Sequence, residues 1–318
     1  MESNSISSII SVIVCTYNRC DILNDCLQSL VYQTLNKQLF EVIVVNNNST
    51  DETQSIAECF AIIEPNFKVV IEPNQGLSHA RNHGWNEAHG EYVAFIDDDC
   101  IVPTQWLSIA KDIVDQKSPG VFGGPYFAFY NSPKPLWFKD AYGSRIQGDN
   151  ARALGDDEYL DGGNIFFRRS LLHGLGGFDT HLGMSGKKIA YGEETALLRL
   201  VRVKRPDQLI YYDPGLYVYH LVQAKKMNLT WAMRSRFSAG RYSYRIFREN
   251  SNDTGLGQPS FKRKRFLIYY DFGIDLLKGI FRRDREKYPY FQNYLFERVF
   301  IIIEKMGSLY EQFIQDRR

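Results

Sequence analysis

The sequence predicts an α/β chain, with a mostly parallel sheet covered by helices on both faces and an α-helical extension at the C-terminal end. Three observations predict it. Short, almost continuously apolar runs recur through the first hundred residues: Ile9–Val14 (IISVIV), Glu41–Val45 (EVIVV), Lys68–Ile71 and Glu91–Ile96 (EYVAFI). Helix-like stretches separate them, namely Cys20–Gln33, Thr53–Cys59 and Leu77–Ala88. Runs without a polar face suit strands covered on both sides, and strands alternating with helices pair in parallel. In the tail, Phe291, Leu295, Val299, Ile302, Met306, Leu309 and Phe313 recur at spacings of three and four, the period of an amphipathic helix.

Ligands of such sheets bind beyond the carboxyl ends of the strands. That rule brings three loops together: Cys15–Arg19, Asn46–Asp51 and Asp97–Asp99. The middle of the chain, Gly120–His220, is rich in glycine and aromatic residues, with further strands expected at Gln208–Tyr212 and Leu216–Tyr219 and a helix at Thr195–Val203. A first tail helix is expected from about Phe266 to Phe281, after the basic cluster Lys262-Arg263-Lys264-Arg265. Asn250–Pro259, with its Ser, Asn, Asp, Gly and Pro, is the linker candidate. These divisions predict a first domain over 1–223, with halves at 1–100 and 101–223, and a basic, aromatic helical region over 224–318.

Charge is unevenly spread. The net charge is +1, but from Lys225 onward there are 20 Lys and Arg against 10 Asp and Glu, whereas the remainder has 18 against 27. An acidic front and a basic tail suggest different partners for the two parts. A basic, aromatic tail suits a membrane surface. The blander reading, preferred for Phe291–Phe313 and compatible with the first, is that the helices pack on the first domain or on a second subunit in a homodimer. No recognised nucleic-acid motif is present. The five cysteines, Cys15, Cys20, Cys26, Cys59 and Cys100, are odd in number and form no CxxC pair, which argues against a disulfide framework or structural zinc. A reducing compartment follows. With no charged leader and no apolar run of membrane-spanning length, the expected location is cytoplasmic, with attachment to the inner face of a membrane left open.

Asp97-Asp98-Asp99 closes the fourth apolar run. Side chains alternate at a strand end, so Asp97 and Asp99 point one way and Asp98 the other. Two carboxylates on one face repel unless a cation lies between them. Mg²⁺ and Mn²⁺ favour oxygen ligands and are often shared between one or two carboxylates and a substrate phosphate. An isolated acidic triplet reads as a solvated turn; one that ends a strand of an alternating sheet reads as a metal and diphosphate site.

Around it stand Ser11–Arg19 (SVIVCTYNR), Val44–Asp51 (VVNNNSTD), Asn74–Asn82 (NQGLSHARN), Gly90–Asp99 (GEYVAFIDDD), Gly163–Arg169 (GNIFFRR), Gly176–Asp179 (GGFD) and Gly192–Thr195 (GEET). In this order, over Ile9–His220 or about two-thirds of the chain, they resemble the inverting family 2 glycosyltransferases, which have the GT-A fold. The resemblance implies that 1–223 is a catalytic domain, with a nucleotide-binding half (1–100) and an acceptor half (101–223), and it implies a site. Asp97 would contact donor ribose and metal, Asp99 would ligate a divalent metal (Mn²⁺ or Mg²⁺), and Asp98 would assist either. His220 would be a third metal ligand, against the bland reading of a structural histidine. Thr16, Tyr17 and Arg19 would line the first donor loop, Asn46 and Asn48 the second, with Arg81 near the nucleotide. Asp161, Gly162, Gly163 and Asn164 would form a loop at the donor sugar or acceptor.

Many members have Asp where this chain has Asn46, and that carboxylate accepts from the uracil imide. Asn also donates. UDP is thus the first expectation for the donor, with dTDP and GDP open. Glu193 and Glu194 fill the family's E-D position. Glu194 is the expected base for the acceptor hydroxyl and Glu193 its orienting neighbour, the reverse register staying open. Acidic residues at a helix N-terminus are the bland alternative. Trp85 is expected in the core, Trp137 at an acceptor cleft, and His79 on a helix surface.

The implied activity is metal-dependent, inverting transfer of a hexose-type sugar from a nucleotide-diphosphate sugar to a saccharide or lipid-linked hydroxyl acceptor, in surface polysaccharide or glycolipid synthesis. Two other classes compete. A nucleotidyltransferase would need a glycine-rich phosphate loop after the first strand, which Cys15–Asp21 (CTYNRCD) lacks. A non-catalytic sugar-nucleotide-binding protein would bind donor without transfer.

Overall fold

A computed structural model of the chain describes residues 9–186, 188–248 and 261–317. The expected linker at Asn250–Pro259 and the side chains of Lys262–Arg265 lie outside the described residues. The chain forms two compact units. One takes in the chain up to Phe129, Gly143–Gly186 and Glu193–Leu221. The other takes in Tyr130–Tyr142, the short stretch before Glu193, and the chain from Val222 onward.

The first unit opens with β1 (Ile10–Thr16), α1 (Leu23–Val31), β2 (Phe40–Asn46), α2 (Thr53–Ile63), β3 (Phe67–Ile71), α3 (Leu77–Asn86) and β4 (Tyr92–Asp97). It continues with β5 (Cys100–Ile101), α4 (Trp106–Lys117), β6 (Val121–Gly123), β7 (Tyr126–Phe129), β8 (Arg152–Ala153), β9 (Asn164–Arg168), α5 (Arg169–Leu175), α6 (Glu193–Lys204), β10 (Ile210–Tyr212) and β11 (Val218–Leu221). Among the described residues the main sheet has the order β3-β2-β1-β4-β9-β6-β10-β8. The strands β1 to β4 pair in parallel, and β9 runs antiparallel between β4 and β6. A second, small sheet has the order β5-β11-β7.

Alternation along β1 explains its continuous apolar character. Val12 and Val14 enter a core with Leu23 and Leu27 of α1, Ala57 of α2 and Trp106 of α4. Ile13, between them, enters a second core with Ala80 of α3, Leu171 of α5 and Leu197 of α6. Both faces are covered, which removes the polar side that a one-sided sheet would show. The α/β class, the mostly parallel sheet and the helical C-terminal part all match the sequence expectation. Helix α1 begins later than expected, at Leu23, because Cys20–Ile22 form a turn in which Ile22 N–H donates to the Arg19 carbonyl at 3.1 Å. The segment Asn164–Arg168 is a strand that sequence reading left unassigned.

The second unit contains α7 (Leu229–Phe247), α8 (Phe261–Phe281), α9 (Phe291–Tyr294), a π-helical turn at Leu295–Val299 and α10 (Phe300–Gln315). The apolar periodicity from Phe291 to Phe313 is thus carried by a helix with a π segment in it. Helix α7 was not expected. Its buried positions include Ala232, Ser238 and Gly240, residues that an apolar pattern passes over. A Cβ on Gly240 would lie 1.7 Å from the Glu304 carbonyl oxygen, and one on Gly307 would lie 2.0 Å from that of Phe237. The two glycines therefore set how closely α7 and α10 approach, with Glu311 of α10 buried and paired to Arg241 (2.8 Å) and Arg245 (2.6 Å). Trp137 joins an aromatic cluster here with Phe138, Tyr142 and Phe296. Among the described residues no helix is long and apolar enough to cross a membrane.

Candidate functional site

Register brings the three loops together. Thr16 pairs with Asn46 across β1 and β2, and Cys15 with Asp97 across β1 and β4. The carboxyl ends of three parallel strands are therefore level, and their loops leave from one edge of the sheet. The first two loops are tied to each other. Asn18 accepts from the Thr50 backbone N–H at 2.8 Å, and its own N–H donates to Ser49 Oγ at 3.0 Å. Asp51 accepts from the N–H groups of Cys20 (3.3 Å) and Thr53 (3.1 Å). Asn47 fastens the second loop to the chain after β3: its Nδ2 donates to the carbonyls of Glu72 and Asn74 (3.0 and 2.7 Å), and its Oδ1 accepts from Gly76 N–H at 2.8 Å.

Asn46 is buried beside it. Its Oδ1 accepts from Ser49 N–H at 3.0 Å and its Nδ2 donates to Gln54 Oε1 at 2.6 Å. Asn48 is exposed, with a left-handed φ of 64°. Thr16 is buried, and Tyr17 and Arg19 are half-buried.

The acidic triplet divides. Asp98 lies 3.6 Å from Arg19 Nε and is buried; burial pushes its carboxyl up to about 7, against the pull of that guanidinium. Asp97 and Asp99 turn instead toward His220, whose Nε2 is 4.0 Å from Asp97 Oδ2 and 3.3 Å from Asp99 Oδ1. His220 comes from far along the chain because β11 pairs antiparallel with β5, setting His220 opposite Cys100, while Leu221 N–H donates to the Asp99 carbonyl at 2.9 Å. The Tyr126 ring lies against the imidazole, centroids 4.8 Å apart. One ligand atom from each of Asp97, Asp99 and His220 lies within 4.8 Å of the others. Two carboxylate oxygens and an imidazole nitrogen in that space fit a divalent ion such as Mn²⁺.

Arg81, on α3, crosses from this cluster to the next group of acids. It is 3% exposed, donates to Glu193 Oε1 at 2.7 Å and to the Gly162 carbonyl at 3.2 Å, and reaches Asp97 Oδ1 at 3.4 Å. A buried guanidinium requires such partners, since an unpaired buried charge costs several kcal/mol. Glycines make room for the bridge: a Cβ on Gly162 would lie 2.5 Å from Arg81, and one on Gly163 would lie 2.9 Å from Asp97 Oδ2. Glu193 and Glu194 open α6. With Glu193 held by Arg81, Glu194 carries a buried Oε2 that has no hydrogen-bond partner among the described residues. Burial, then the neighbouring Glu193 charge, raises the Glu194 carboxyl well above the carboxylate range. Asp161 is pushed up to about 6 by burial, with Arg145 opposing.

A family model described as Glycosyl transferase family 2 matches residues 11–176, just over half of the chain. The chain belongs to that family. Two relatives add to the match. Glycosyltransferase AglE of Haloferax volcanii is 30% identical over 178 residues, covering 56% of this chain and 58% of AglE. The chain thus spans less than two-thirds of that relative. The glucosyl-dolichyl phosphate glucuronosyltransferase of the same organism is 25% identical over 278 residues, covering 85% and 86%. In fold, the chain is similar to the mannosyltransferase PcManGT from Pyrobaculum calidifontis, solved in complex with GDP-Man and Mn²⁺. Identity is 19% and the TM-score 0.64, over 95% of this chain and 87% of that one.

Within this family 2 chain, the structure brings Asp97, Asp99 and His220 together, and Arg81 with Glu193. Asn164 behaves differently. It is fully buried, accepts from Trp106 Nε1 at 3.1 Å and donates to the carbonyls of Pro125 and Leu216 at 3.2 and 2.6 Å. Those bonds tie the start of β9 to α4 and to the chain leading into β7 and β11, so the amide braces the loop that Gly163 lines. Trp85 packs in the core as expected, edge-on to His173. Trp137 is held in the aromatic cluster of the second unit. Sequence reasoning missed Asn47. The run Asn46-Asn47-Asn48 signals a polar loop, but which amide turns inward depends on where β2 ends.

Proposed function

We propose that this chain transfers a hexose-type sugar from a nucleotide-diphosphate sugar to a hydroxyl acceptor, by a metal-dependent, inverting displacement. The observation that carries the reading is Arg81, whose guanidinium touches both Asp97 and Glu193. It links the cluster suited to a diphosphate-bound ion with the acids suited to an acceptor hydroxyl.

Asp97, Asp99 and His220 would hold a divalent ion, which would supply charge neutralisation for the leaving diphosphate. The Glu194 carboxylate takes the acceptor proton as the acceptor oxygen bonds to the anomeric carbon and the bond to the diphosphate breaks. Attack opposite the leaving group inverts the centre. Glu193, fixed by Arg81, holds the start of α6 and so the position of its neighbour. Arg19 restrains Asp98, which leaves Asp97 and Asp99 for the ion and the ribose. Thr16, Tyr17 and the loop at Asn46 and Asn48 receive the nucleoside, and Gly163 lets the donor sugar approach the backbone. UDP remains the first candidate, with dTDP and GDP the alternatives; the GDP-Man complex of a fold neighbour keeps guanosine in view. The dolichyl phosphate in the name of one relative supports a lipid-linked acceptor; a saccharide acceptor, a part in surface polysaccharide or glycolipid synthesis and a place at the inner face of a membrane belong to the same proposal.

Thermal-shift measurements with UDP, dTDP, GDP and CMP sugars, with and without Mn²⁺, test the donor site. A shift that needs both ligand and metal is expected. No metal-dependent shift with any of them overturns the reading. Donor binding that persists while no acceptor is ever glycosylated would instead favour a binding protein.

A further inference from the structure

Helix α8 has two unlike faces. One packs: Phe272 lies against the core of the second unit, and a Cβ on Gly279 would lie 2.5 Å from the Tyr294 ring. On the opposite face Phe266, Tyr270, Leu277, Ile280 and Phe281 stand in one stripe, at helical spacings of four, seven, three and one. They are 68%, 56%, 56%, 49% and 77% exposed. A helix of 21 residues is about 31 Å long, so the stripe is a line of apolar side chains on one side of a rod. Exposed apolar surface in so continuous a form marks an interaction face.

We propose that this face of α8 lies on an anionic lipid surface, the apolar stripe entering the headgroup boundary and the flanking cations meeting lipid phosphate. Charge separates this partner from a second copy of the chain. From Phe261 to Lys287 the sequence has nine Lys and Arg against four Asp and Glu. The cations gather at both ends of the helix: Lys262, Arg263, Lys264 and Arg265 at its start, and Arg282, Arg283, Arg285 and Lys287 after its end. Two copies packed along the stripe would set cations against cations whether parallel or antiparallel. An anionic bilayer meets both ends favourably. The stripe is also rich in aromatic residues, and tyrosine, with an apolar body and a polar tip, suits the headgroup level. This deepens the peripheral location proposed above and uses no part of the donor chemistry, so vesicle binding and sugar transfer fail separately.

The test is flotation of the full chain with vesicles of phosphatidylcholine alone or mixed with phosphatidylglycerol. Binding is expected only with the anionic vesicles and should weaken as salt rises. The triple variant Phe266→Ser/Leu277→Ser/Phe281→Ser should lose binding about ten-fold or more, with its donor-induced thermal shift intact. A Tyr270→Trp chain covers the case of a misfolded triple variant: its added fluorescence should be quenched by lipids brominated on the acyl chain. No binding to anionic vesicles, equal binding to neutral ones, or an added indole that the brominated lipids leave unquenched overturns the proposal. So does a dimer that the triple variant converts to monomer while vesicle binding persists.

Discussion

Arg81 donates to Glu193 at 2.7 Å inside the first unit, and neither side chain is more than 6% exposed. The pair is a buried ion pair of the kind whose halves depend on each other. Removing one leaves the other charged and without its partner, which costs about 3–5 kcal/mol. Arg81→Ala should therefore destabilise the chain by that order in urea unfolding, and Glu193→Ala by less, since Arg81 keeps Asp97 and the Gly162 carbonyl. Glu193→Gln keeps an acceptor oxygen for the guanidinium and should cost less. Arg81→Lys should fall between wild type and Arg81→Ala, since an ammonium lacks the fork that reaches Glu193, Asp97 and Gly162 together. Equal stability of Glu193→Ala and wild type would show that the pair is not held as described.

Glu194 behaves oppositely because it has no such partner. Its folded carboxyl is raised above the unfolded value, first by burial and then by Glu193. A raised acid favours the neutral form in the fold. The associated stability is present below the unfolded value and is lost as pH rises through the folded one. Glu194→Gln removes that loss, so it should be more stable than wild type at neutral and alkaline pH and should converge with it in acid. The same substitution should lower transfer by about 10²–10⁴-fold, the usual contribution of a general base. In the wild type, kcat/KM should rise with pH through an acid limb lying above the ordinary carboxylate range. A limb at ordinary carboxylate pH removes Glu194 as the base, and an active Glu194→Gln beside a dead Glu193→Gln assigns the role to Glu193.

Much of this arrangement was legible in the sequence, and the reasons it was differ from one residue to the next. The strands were legible because burial on both faces leaves apolar runs, as in Ile10–Thr16. The division of the triplet followed from alternation at a strand end: Asp98 faces Arg19 while Asp97 and Asp99 face His220. His220 entered the expected site through family resemblance, since no local pattern reports that β11 pairs with β5. Asn164 resembled a ligand residue, but an amide carries no mark that says whether its partners are a sugar or buried carbonyls. Helix α7 stayed hidden because close approach to α10 uses Gly240, which no hydrophobic period includes.

The second loop offers a test of donor base. Asn46 Nδ2 donates to Gln54 Oε1, and Gln54 Nε2 in turn donates to Glu58. Asn46→Asp keeps the acceptor for Ser49 N–H and loses the donor to Gln54. Gln54 turns its amide to donate to the new carboxylate and gives up its exposed bond to Glu58, at a cost of about 1 kcal/mol or less. The variant should stay folded and shift its preference toward uridine donors, since a carboxylate accepts from the uracil imide without offering a competing donor. Comparison of UDP and GDP thermal shifts for the two chains reads this directly. An unchanged ratio would place Asn46 outside contact with the base.

Asn47 should matter more to the same loop than either neighbour. Its amide makes bonds to Glu72, Asn74 and Gly76, all backbone groups after β3. Asn47→Ala leaves three backbone groups without their partner and frees the loop, so it should weaken donor binding and lower stability together. Asn48→Ala changes an exposed residue at positive φ and should cost stability through backbone strain alone. Asn48→Gly separates the two effects: it should restore stability and leave donor binding near wild type. If Asn48→Gly loses donor affinity at full stability, the Asn48 side chain itself contacts the ligand.

The metal cluster makes a prediction about rank order. Asp99 and His220 approach to 3.3 Å, and Asp97 completes the group, whereas Asp98 is turned to Arg19. Mn²⁺ titration followed by electron paramagnetic resonance should therefore show strong loss of affinity for Asp99→Asn, a smaller loss for His220→Gln, and near wild-type affinity for Asp98→Asn. Imidazole and carboxylate must both shed protons to ligate, so affinity should fall in acid for the wild type and less steeply for His220→Gln. Chelation should abolish transfer and added Mn²⁺ restore it, with the far-ultraviolet dichroism unchanged because the sheet's cores are packed from apolar side chains. Loss of Mn²⁺ binding in Asp98→Asn equal to that in Asp99→Asn would mean that the triplet binds as a unit, and the division made by alternation along the strand end would fail.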